Sequence, residues 1–244
     1  MFKPCVIIPV YDHEKPLPAI VARLKPYGLP CLLVDDGSHA PCRHVMKELA
    51  AQEPWLSYLG HAHNLGKGAA VKTGLRGAAE RGYTHAVQID ADGQHDLDDL
   101  PKFLRTAAGA PDAMVIGQAL FDASIPRHRY YARYLTHIWV WINTLSFSIP
   151  DSMCGFRVYP LKPCLRLMEQ HSLGDRMQWD SEILIHLHWD DVRIISLPTR
   201  VRYPEDGLSH FRLWQDNVGL SLMQAKQFGM LAPRLLQRLW KRTQ

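Results

Sequence analysis

The chain has no closely spaced pair of cysteines. Its five cysteines are odd in number and scattered, and no two of them have C-x-x-C spacing: Cys5, Cys31, Cys42, Cys154 and Cys164. Such a set argues against a disulfide framework and a zinc knuckle, and it is typical of a reducing compartment. We therefore expect a cytoplasmic protein.

Long apolar runs are also missing. Residues 1–4 lead directly into a strand-like segment without the apolar core of a cleavable leader. A membrane-spanning helix needs about 18 or more consecutive apolar residues, and the sequence contains no such stretch. We expect neither a secretory leader nor a transmembrane helix, so contact with a membrane would be peripheral.

Acidic residues are absent from two segments. No Asp or Glu follows Asp216, and the only Lys, Arg, Asp or Glu residues between Asp122 and Asp151 are three arginines. Both segments are rich in Trp, Leu and Ile, although the net charge of the whole chain is only +4. This local mixture of basic and apolar side chains predicts contact with an anionic membrane and no nucleic-acid partner.

Two phosphate-binding fingerprints do not occur. No G-x-G-x-x-G follows the first strand-like segment, so a dinucleotide cofactor is not indicated, and no G-x-x-x-x-G-K-[ST] P-loop is present. The chain is nevertheless 47% hydrophobic, which is enough to form a folded core and argues against global disorder.

Strand-like and helix-like segments alternate along most of the chain. Continuous apolar runs such as Cys5–Val10 are typical of strands covered on both faces. Strands are predicted at 5–10, 31–34, 55–59, 85–89, 113–117 and 192–197, and helices at 17–24, 41–51, about 66–79 and 97–107. This alternation predicts the α/β class, with a Rossmann-like, doubly wound, mostly parallel sheet and helices on both faces.

Polar clusters follow four of the predicted strands. They are Tyr11, Asp35-Asp36, His63–Lys67 and Asp90–Gln94. In an open parallel sheet, ligands bind at the carboxyl ends of the strands. Four clusters at one edge of the sheet are a stronger indication of a binding site than any one of them.

The central cluster is the D-x-D sequence Asp90-Ala91-Asp92, which continues into Gly93-Gln94. Two carboxylates and an amide oxygen are ligands that Mg²⁺ or Mn²⁺ prefers, and such an ion keeps positions open for phosphates. The alternative is a solvated, Asp-rich turn. In the metal interpretation, Asp90 and Asp92 hold an ion that bridges a diphosphate, and this ion neutralises the charge that grows on the diphosphate as it leaves.

Two other clusters are ambiguous. Asp36, followed by Gly37-Ser38, suits hydrogen bonding to a ribose or a base edge, but it equally suits a helix N-cap turn. Asn64–Gly68 opens a helix whose N-terminus attracts anions, and Lys67 lies within it.

Six motifs occur in a familiar order: IPVYDHE, VDDGS, NLGKGAA, QIDADGQH, DSMCGFR and WDSEIL. The chain resembles family 2 glycosyltransferases, and within them the dolichol-phosphate mannosyltransferase and polyprenyl-phosphate glycosyltransferase branch. The resemblance covers roughly residues 6–204. It implies a GT-A fold, a nucleotide-diphospho-sugar donor, Mg²⁺ or Mn²⁺, and an inverting transfer to a lipid-phosphate acceptor.

The resemblance also implies residue roles. It gives a nucleoside-binding role to Pro9, Tyr11 and Asp36, and a metal-binding role to Asp90, Asp92 and Gln94. Asp12-His13 replaces the usual Asn-Glu of the branch, which leaves guanine and uracil both open. The C-terminal transmembrane segments of some members are absent from this sequence.

The acceptor side is predicted beyond the first five strands. Within 123–150, apolar residues at helical spacing define an amphipathic helix, either packed on the core or lying at a membrane interface. In the interfacial interpretation, arginines receive the acceptor phosphate: Arg127, Arg129, Arg133 and, from the loop-like DSMCGFR segment, Arg157. Arg157 alternatively pairs with a carboxylate.

The catalytic candidates are Asp92, Asp180, Arg127 and Arg157. Asp180 or Glu182 would act as general base toward a hydroxyl acceptor, whereas a phosphate acceptor needs none. Asp180 is alternatively only an N-cap. His210, in the loop-like segment 199–212, is a candidate ligand of the donor diphosphate.

These assignments divide the chain into a glycosyltransferase domain, 1–212, and a basic amphipathic helical tail, 213–244. The rival functions are transfer to a hydroxyl-bearing lipid or glycan, and a catalytically silent, membrane-associated binding module.

Overall fold

The computed structural model describes residues 1–121, 127–201 and 213–242. Within these ranges, seven strands form one sheet in the order β3-β2-β1-β4-β6-β5-β7. Their bounds are β1 Pro4–Val10, β2 Cys31–Asp35, β3 Leu56–Gly60, β4 His85–Gln88, β5 Met114–Phe121, β6 Arg157–Pro160 and β7 Ile194–Val201.

Eight α-helices accompany the sheet in the same described ranges. They are α1 Leu17–Leu24, α2 Ala40–Gln52, α3 Lys67–Glu80, α4 Leu100–Gly109, α5 Arg127–Thr144, α6 Leu161–Gln170, α7 Trp179–Trp189 and α8 Leu213–Arg242. Pro101 is the second residue of α4, which follows a single 3₁₀ turn. A proline is tolerated in a first helical turn because its missing N–H would have no partner there.

The sheet is parallel except at one strand. β1 pairs in parallel with β2 and β4, β2 with β3, and β5 with β7, whereas β6 runs antiparallel to both β4 and β5. The carboxyl ends of all strands except β6 therefore lie at one edge, and β6 begins at that edge with Arg157.

Two apolar layers cover the sheet. In β1, Ile7 faces a layer with α3, α6 and α7, while Ile8 faces a layer with α1, α2 and α4. Successive strand residues point to opposite faces, so the unbroken apolar run that contains both is buried on each side. The predicted α/β class with helices on both faces is confirmed.

α5 shows an inverted distribution of side chains. Its inner positions include the buried polar residues His137, Asn143 and Thr144. Its outer face is apolar and exposed, with Leu135 at 58% and further exposed residues Ile138, Trp139 and Ile142; Leu145 continues this surface just past the helix. The apolar residues at helical spacing in this segment are Leu135, Ile138, Ile142, Leu145 and Ile149, and of these only Ile149 packs into the core.

α8 packs on α5 and α7 through its middle. Leu220 and Met223 are buried in the core. The buried Gln224 side chain accepts a hydrogen bond from Asn143 of α5, and the buried Gln227 side chain donates one to Glu182 of α7. Residues 220–227 of α8, which lie in the segment predicted as a helical tail, therefore pack against α5 and α7. Among the described residues, no helix has the length and apolar character needed to cross a bilayer.

Three elements differ from the sequence prediction. β6 and α6 were not predicted, and residues 199–201, expected to be loop-like, continue β7. β6 is only four residues long and begins with a buried arginine, so it lacks the apolar run that identifies the other strands. The predicted boundary between residues 212 and 213 is not tested by the helix content of this segment, and the division of the chain stays a prediction.

Candidate active site

The polar clusters meet at the edge where the parallel strands end. β1 ends before Tyr11, β2 ends with Asp35, α3 begins with Lys67 after β3, and β4 is followed by Ile89 and Asp90. Because β1–β4 are parallel neighbours, their ends lie side by side. The sequence prediction that these clusters share one edge is confirmed by this topology.

Asp90 is held by three side chains. Its carboxylate accepts hydrogen bonds from Lys67 Nζ and Gln88 Nε2, each at 2.9 Å, and His95 Nε2 lies 3.6 Å away. Burial raises the pKa of Asp90, but the charges of Lys67 and His95 lower it more, so that this pKa lies well below its ordinary value. Asp90 is therefore ionised throughout the neutral range.

Lys67 joins two carboxylates from different elements. Its Nζ donates to Asp90 at 2.9 Å and to Asp180, on α7, at 3.0 Å. Burial lowers the pKa of Lys67, but Asp180 and Asp90 more than offset it, and the pKa is raised above its ordinary value. A permanent ammonium thus ties the D-x-D sequence to α7.

The turn after Asp90 leaves Asp92 and Gln94 partly exposed. Gly93 has a φ of 74°, a left-handed conformation that favours glycine, and the backbone N–H of Gln94 donates to Asp92 Oδ1 at 3.0 Å. This turn leaves the Asp92 carboxylate and the Gln94 amide on two nearby, partly exposed residues.

A divalent ion fits this donor set. Among the described residues there is no group of three or more His, Cys, Asp or Glu side chains placed to hold a metal. Mg²⁺-type sites commonly use one or two carboxylates and complete the shell with substrate phosphates and water. Asp92 and Gln94, with Asp90 behind them, offer such an incomplete shell.

Asp36 organises the loop that precedes α3. Its carboxylate, 2% exposed, accepts from His61 Nδ1, Asn64 Nδ2 and the backbone N–H groups of Leu65 and Gly66, at 2.8–3.0 Å. These four bonds are a role that the sequence did not predict. They neither require nor provide a contact with a nucleoside, so the predicted nucleoside contact of Asp36 stays a prediction.

The segment after β1 is also pinned. Asp12, at a φ of 51°, accepts from the backbone N–H of His39 at 2.8 Å and pairs with His39 Nδ1 at 2.7 Å. Pro9 and Tyr11 are half-buried beside it. At the Asp12-His13 departure from the family pattern, the Asp12 carboxylate is therefore already bound to His39, the N-cap residue of α2.

Arg157 lies in a place different from the expected one. It is 0% exposed, and its guanidinium donates to the carbonyl oxygens of Ser152, Cys154 and Asp180 at 2.7–2.9 Å. A fully enclosed guanidinium is not presented to an acceptor phosphate in this arrangement. The alternative, pairing with a carboxylate, is closer to what is found, because Asp180 Oδ1 is 3.7 Å away.

Of the predicted phosphate ligands on α5, Arg133 is the one whose side chain the structure describes. Its Nη2 donates to both carboxylate oxygens of Asp151 at 2.7 Å. Arg127 and Arg129 lie in the first turn of α5, but their side chains are outside the described ones. His210, the predicted ligand of the donor diphosphate, lies outside the described residues altogether.

The two candidate bases are both buried. Asp180 is 3% exposed and paired with Lys67, and Glu182 is 3% exposed and accepts from the Gly174 N–H at 2.7 Å and Gln227 Nε2 at 3.0 Å. Neither uses its side chain to cap α7.

Three further residues at the site were missed. Gln88 links the Tyr159 hydroxyl to Asp90, His95 lies beside Asp90, and Gly155 packs against it. Gln88 gave a signal in the sequence, because it is polar within a buried strand and two residues before Asp90. The close approach of Gly155 depends on tertiary contact, which the spacing did not reveal.

Known proteins match both the sequence and the fold. The profile described as Glycosyl transferase family 2 matches residues 5–169. A UDP-N-acetylglucosamine–dolichyl-phosphate N-acetylglucosaminyltransferase from Methanococcus voltae is 26% identical over 216 residues, covering 82% of this chain and 86% of the relative. Polyprenol monophosphomannose synthase of Mycolicibacterium smegmatis is 32% identical over 170 residues, covering 63% and 60%.

Two solved structures have a similar fold. Glucosyl-3-phosphoglycerate synthase from Mycobacterium tuberculosis, in complex with Mn²⁺, UDP and phosphoglyceric acid, has a TM-score of 0.66 at 15% identity and covers 96% of this chain and 78% of its own. A mannosyltransferase from Pyrobaculum calidifontis, in complex with GDP-Man and Mn²⁺, has a TM-score of 0.59 at 17% identity and covers 84% and 58%. With two thirds of its sequence matched by the family profile and an α/β sheet of the GT-A kind, the chain belongs to glycosyl transferase family 2.

Proposed function

We propose that this enzyme is an inverting, metal-dependent hexosyltransferase. It moves a hexose from a nucleotide-diphospho-sugar of the GDP-mannose or UDP-glucose type to a polyprenyl or dolichyl phosphate, as a peripheral protein on the cytoplasmic face of the membrane. In this reaction an acceptor phosphate oxygen forms a bond to the anomeric carbon. The bond from that carbon to the donor diphosphate breaks, and the diphosphate leaves with the electron pair.

The donor side consists of the edge residues of β1–β4. Asp90, Asp92 and Gln94 would hold Mg²⁺ or Mn²⁺, which would neutralise charge on the leaving diphosphate. Lys67 holds the Asp90 carboxylate in place, while Pro9, Tyr11 and the Asp36 loop flank the nucleoside. His210 stays a candidate diphosphate ligand. Both similar solved structures bind Mn²⁺ together with a nucleotide or nucleotide sugar, which supports the choice of metal.

The observation that carries the acceptor class is the pairing of Asp180. A base must take a proton, but protonating Asp180 would break its 3.0 Å ion pair with Lys67. Glu182 is likewise engaged, by Gly174 and Gln227. A phosphate monoester has a second pKa of about 6, so it is already a nucleophilic anion at neutral pH and needs no base.

The acceptor side consists of α5, residues 151–157 and Asp180. The apolar outer face of α5 suits the surface of a bilayer that contains a polyprenyl chain. α8, which packs on α5, adds exposed Leu222 at 67% and Phe228 at 55%. Arg127 and Arg129, at the N-terminal end of α5, and Arg133 are placed in the chain to attract an anionic headgroup. The names of the two relatives, which both specify a lipid phosphate acceptor or product, agree with this assignment.

The test compares two acceptors that differ only in the phosphate. Purified protein with Mn²⁺ is given UDP-glucose, UDP-N-acetylglucosamine or GDP-mannose, together with polyprenyl phosphate or the matching polyprenol. We expect transfer to the phosphate only. Transfer to the alcohol alone would contradict the proposal, and absence of transfer from every donor to either acceptor would favour a binding module.

An Asp180→Asn variant sharpens the test. Loss of a general base costs roughly 100- to 10,000-fold in rate, so a smaller loss than this is expected for a phosphate acceptor. Asp175→Asn is the matched control, because Asp175 is another aspartate paired with a lysine, Lys72, but is exposed. A loss within the general-base range in Asp180→Asn, with Asp175→Asn unchanged, would indicate a hydroxyl acceptor.

A further inference from the structure

The loop formed by residues 151–155 is anchored by one buried carboxylate. Asp151 is 3% exposed and accepts from the backbone N–H groups of Ala119, Met153 and Cys154 at 2.9–3.0 Å. Its two oxygens also accept from Arg133 of α5 at 2.7 Å. One side chain therefore connects α5, the end of β5 and the loop.

The opposite end of the loop backs the D-x-D sequence. A Cβ atom built on Gly155 would lie only 2.0 Å from Asp90 Oδ2 and 2.5 Å from its Cγ. The loop backbone is thus in direct contact with the Asp90 carboxylate, and no room remains between them. A shift of the loop toward or away from the sheet must move Asp90 or leave a gap beside it.

Arg157 extends the same connection to α7. Its guanidinium donates to the loop carbonyls of Ser152 and Cys154 and to the carbonyl of Asp180. Ser181 Oγ donates to Ser152 Oγ at 3.3 Å. The loop is therefore fixed from both acceptor-side helices before it reaches Asp90.

We propose that Asp151 is a positioning residue that couples α5 to the D-x-D turn, through the Arg133 ion pair on one side and the Gly155–Asp90 contact on the other. The coupling rests on the proposed function for its meaning, since it links the acceptor side to the donor side. Asp151 itself touches neither substrate. Because of this coupling, a displacement of α5, the helix with the exposed apolar face, alters the geometry of the D-x-D turn at the proposed diphosphate site.

A buried carboxylate with five polar contacts has an alternative explanation, which is that it only stabilises the fold. Burial raises the pKa of Asp151, but Arg133, His137 and the Ala119 N–H lower it more, so that it is held below its ordinary value. A measurement is needed that separates an effect of Asp151 on the stability of the whole fold from an effect on the coupling of α5 to the D-x-D turn. Local hydrogen exchange at the turn and nucleotide binding provide one.

Two variants sever the connection at different points. Asp151→Asn weakens the whole anchor. Arg133→Gln removes the Arg133 ion pair of α5 while leaving the bonds from Ala119, Met153 and Cys154 to Asp151 and the contact of His137 with Ser152. Asp98→Asn is the matched control, since it removes an exposed aspartate that pairs with Arg23. Each protein is examined for thermal unfolding, amide hydrogen exchange in peptides covering 88–96, and calorimetric binding of UDP and GDP with Mn²⁺.

Coupling predicts faster exchange across 88–96 in both variants, and a loss of Mn²⁺–nucleotide affinity of roughly tenfold, the size typical for losing a residue that orients a metal ligand. The Asp98→Asn control should match the unaltered protein. If Asp151→Asn fails to fold, the results for Arg133→Gln alone test whether α5 is coupled to the D-x-D turn. Unchanged exchange and unchanged nucleotide affinity in Arg133→Gln would overturn the proposal.

The two proposals fail in different ways. Exchange and nucleotide binding require no lipid acceptor, so they report on the coupling even if no transfer to polyprenyl phosphate is found. Conversely, transfer to polyprenyl phosphate with normal exchange at 88–96 in Arg133→Gln would support the proposed function and reject the coupling.

Discussion

On the proposed donor side, charged side chains are bound to one another at the edge of the sheet, whereas on the acceptor side they are withdrawn into the protein. Lys67 lies between Asp90 and Asp180, and His61 and Asn64 enclose Asp36. On the acceptor side, Arg157 is wholly buried, and the surface of α5 that faces outward is apolar. An arginine in a predicted phosphate-binding motif is therefore no guide to an exposed positive charge.

The difference follows from what the two regions must exclude or attract. A diphosphate site needs carboxylates to stay ionised beside a metal, and counter-ions such as Lys67 keep them so. A surface for a lipid needs apolar area, and the cost of exposing it to water is offset only when it is covered. The buried polar face of α5, with His137, Asn143 and Thr144, attaches the helix to the domain while leaving its apolar face outside.

The largest effect is expected for a substitution that displaces Asp90 on the donor side and so lowers transferase activity. Gly155→Ala would place a methyl group 2.0 Å from Asp90 Oδ2. Displacing Asp90 should lower transferase activity on the order of 100- to 1,000-fold, the range for losing one preorganised electrostatic group. Steady-state kinetics with saturating donor would measure it.

Gly109→Ala is the control for that substitution, because a Cβ at Gly109 meets no atom within 4 Å. It should retain activity. Wild-type kinetics in Gly155→Ala would show that Asp90 tolerates displacement and that the donor side is less rigid than the structure indicates.

A smaller effect tests the acceptor side alone. Ile138→Glu places a charge on the outer face of α5. Burying an isoleucine contributes about 1.5–3 kcal/mol, so binding to anionic vesicles should weaken at least tenfold in flotation, while binding of UDP or GDP with Mn²⁺ stays the same. The side chain is exposed, so the fold should be unaffected.

Ala108→Glu adds the same charge to an exposed site on α4, which lies on the other face of the sheet, and should leave vesicle binding unchanged. Equal weakening in both variants would mean that net charge, and not the apolar face of α5, governs association with vesicles.

The smallest effect concerns the polar inner face of α5. Burial lowers the pKa of His137 to about 4, and Asp151 offsets this only in part. Because the pKa in the folded protein lies below the unfolded value of about 6.5, the unfolded chain binds more protons between these values. Stability should therefore decrease as the pH falls, by roughly 1.5 kcal/mol between pH 6.5 and pH 5.

Urea unfolding at the two pH values measures this contribution. His137→Gln should reduce the difference by about that amount, since glutamine does not titrate. An unaltered pH dependence in the variant would show that other buried groups, such as His85, account for it.

The sequence predicted the donor side better than the acceptor side for a physical reason. Cys5–Val10 and Cys31–Val34 are continuous apolar runs, and the polar residues that follow them must come to the same edge of a parallel sheet. Asp90 and Lys67 could thus be placed together without any knowledge of side-chain contacts. The bond from Lys67 to Asp180 depends on the packing of α7, more than a hundred residues after Lys67, and was not predictable from spacing.

Arg157 illustrates the limit on the other side. An arginine in a loop-like motif resembles a phosphate ligand, but burial in β6 depends on carbonyl oxygens from Ser152, Cys154 and Asp180, which become acceptors only in the folded chain. Likewise, the spacing of Leu135, Ile138 and Ile142 predicts one face of a helix, yet it does not say whether that face is turned toward the core or away from it.

The reversed strand β6 has a consequence for the order in which the chain can fold during synthesis. It occupies the position between β4 and β5, although it is made after both of them and after α5. A nascent chain that ends before Arg157 lacks both β6 and β7, so one edge of β4 and both edges of β5 are unpaired and open to other chains. Truncated forms that carry every D-x-D residue but stop short of residue 160 should accordingly aggregate, and the donor side cannot be isolated as a fragment of the first 121 residues.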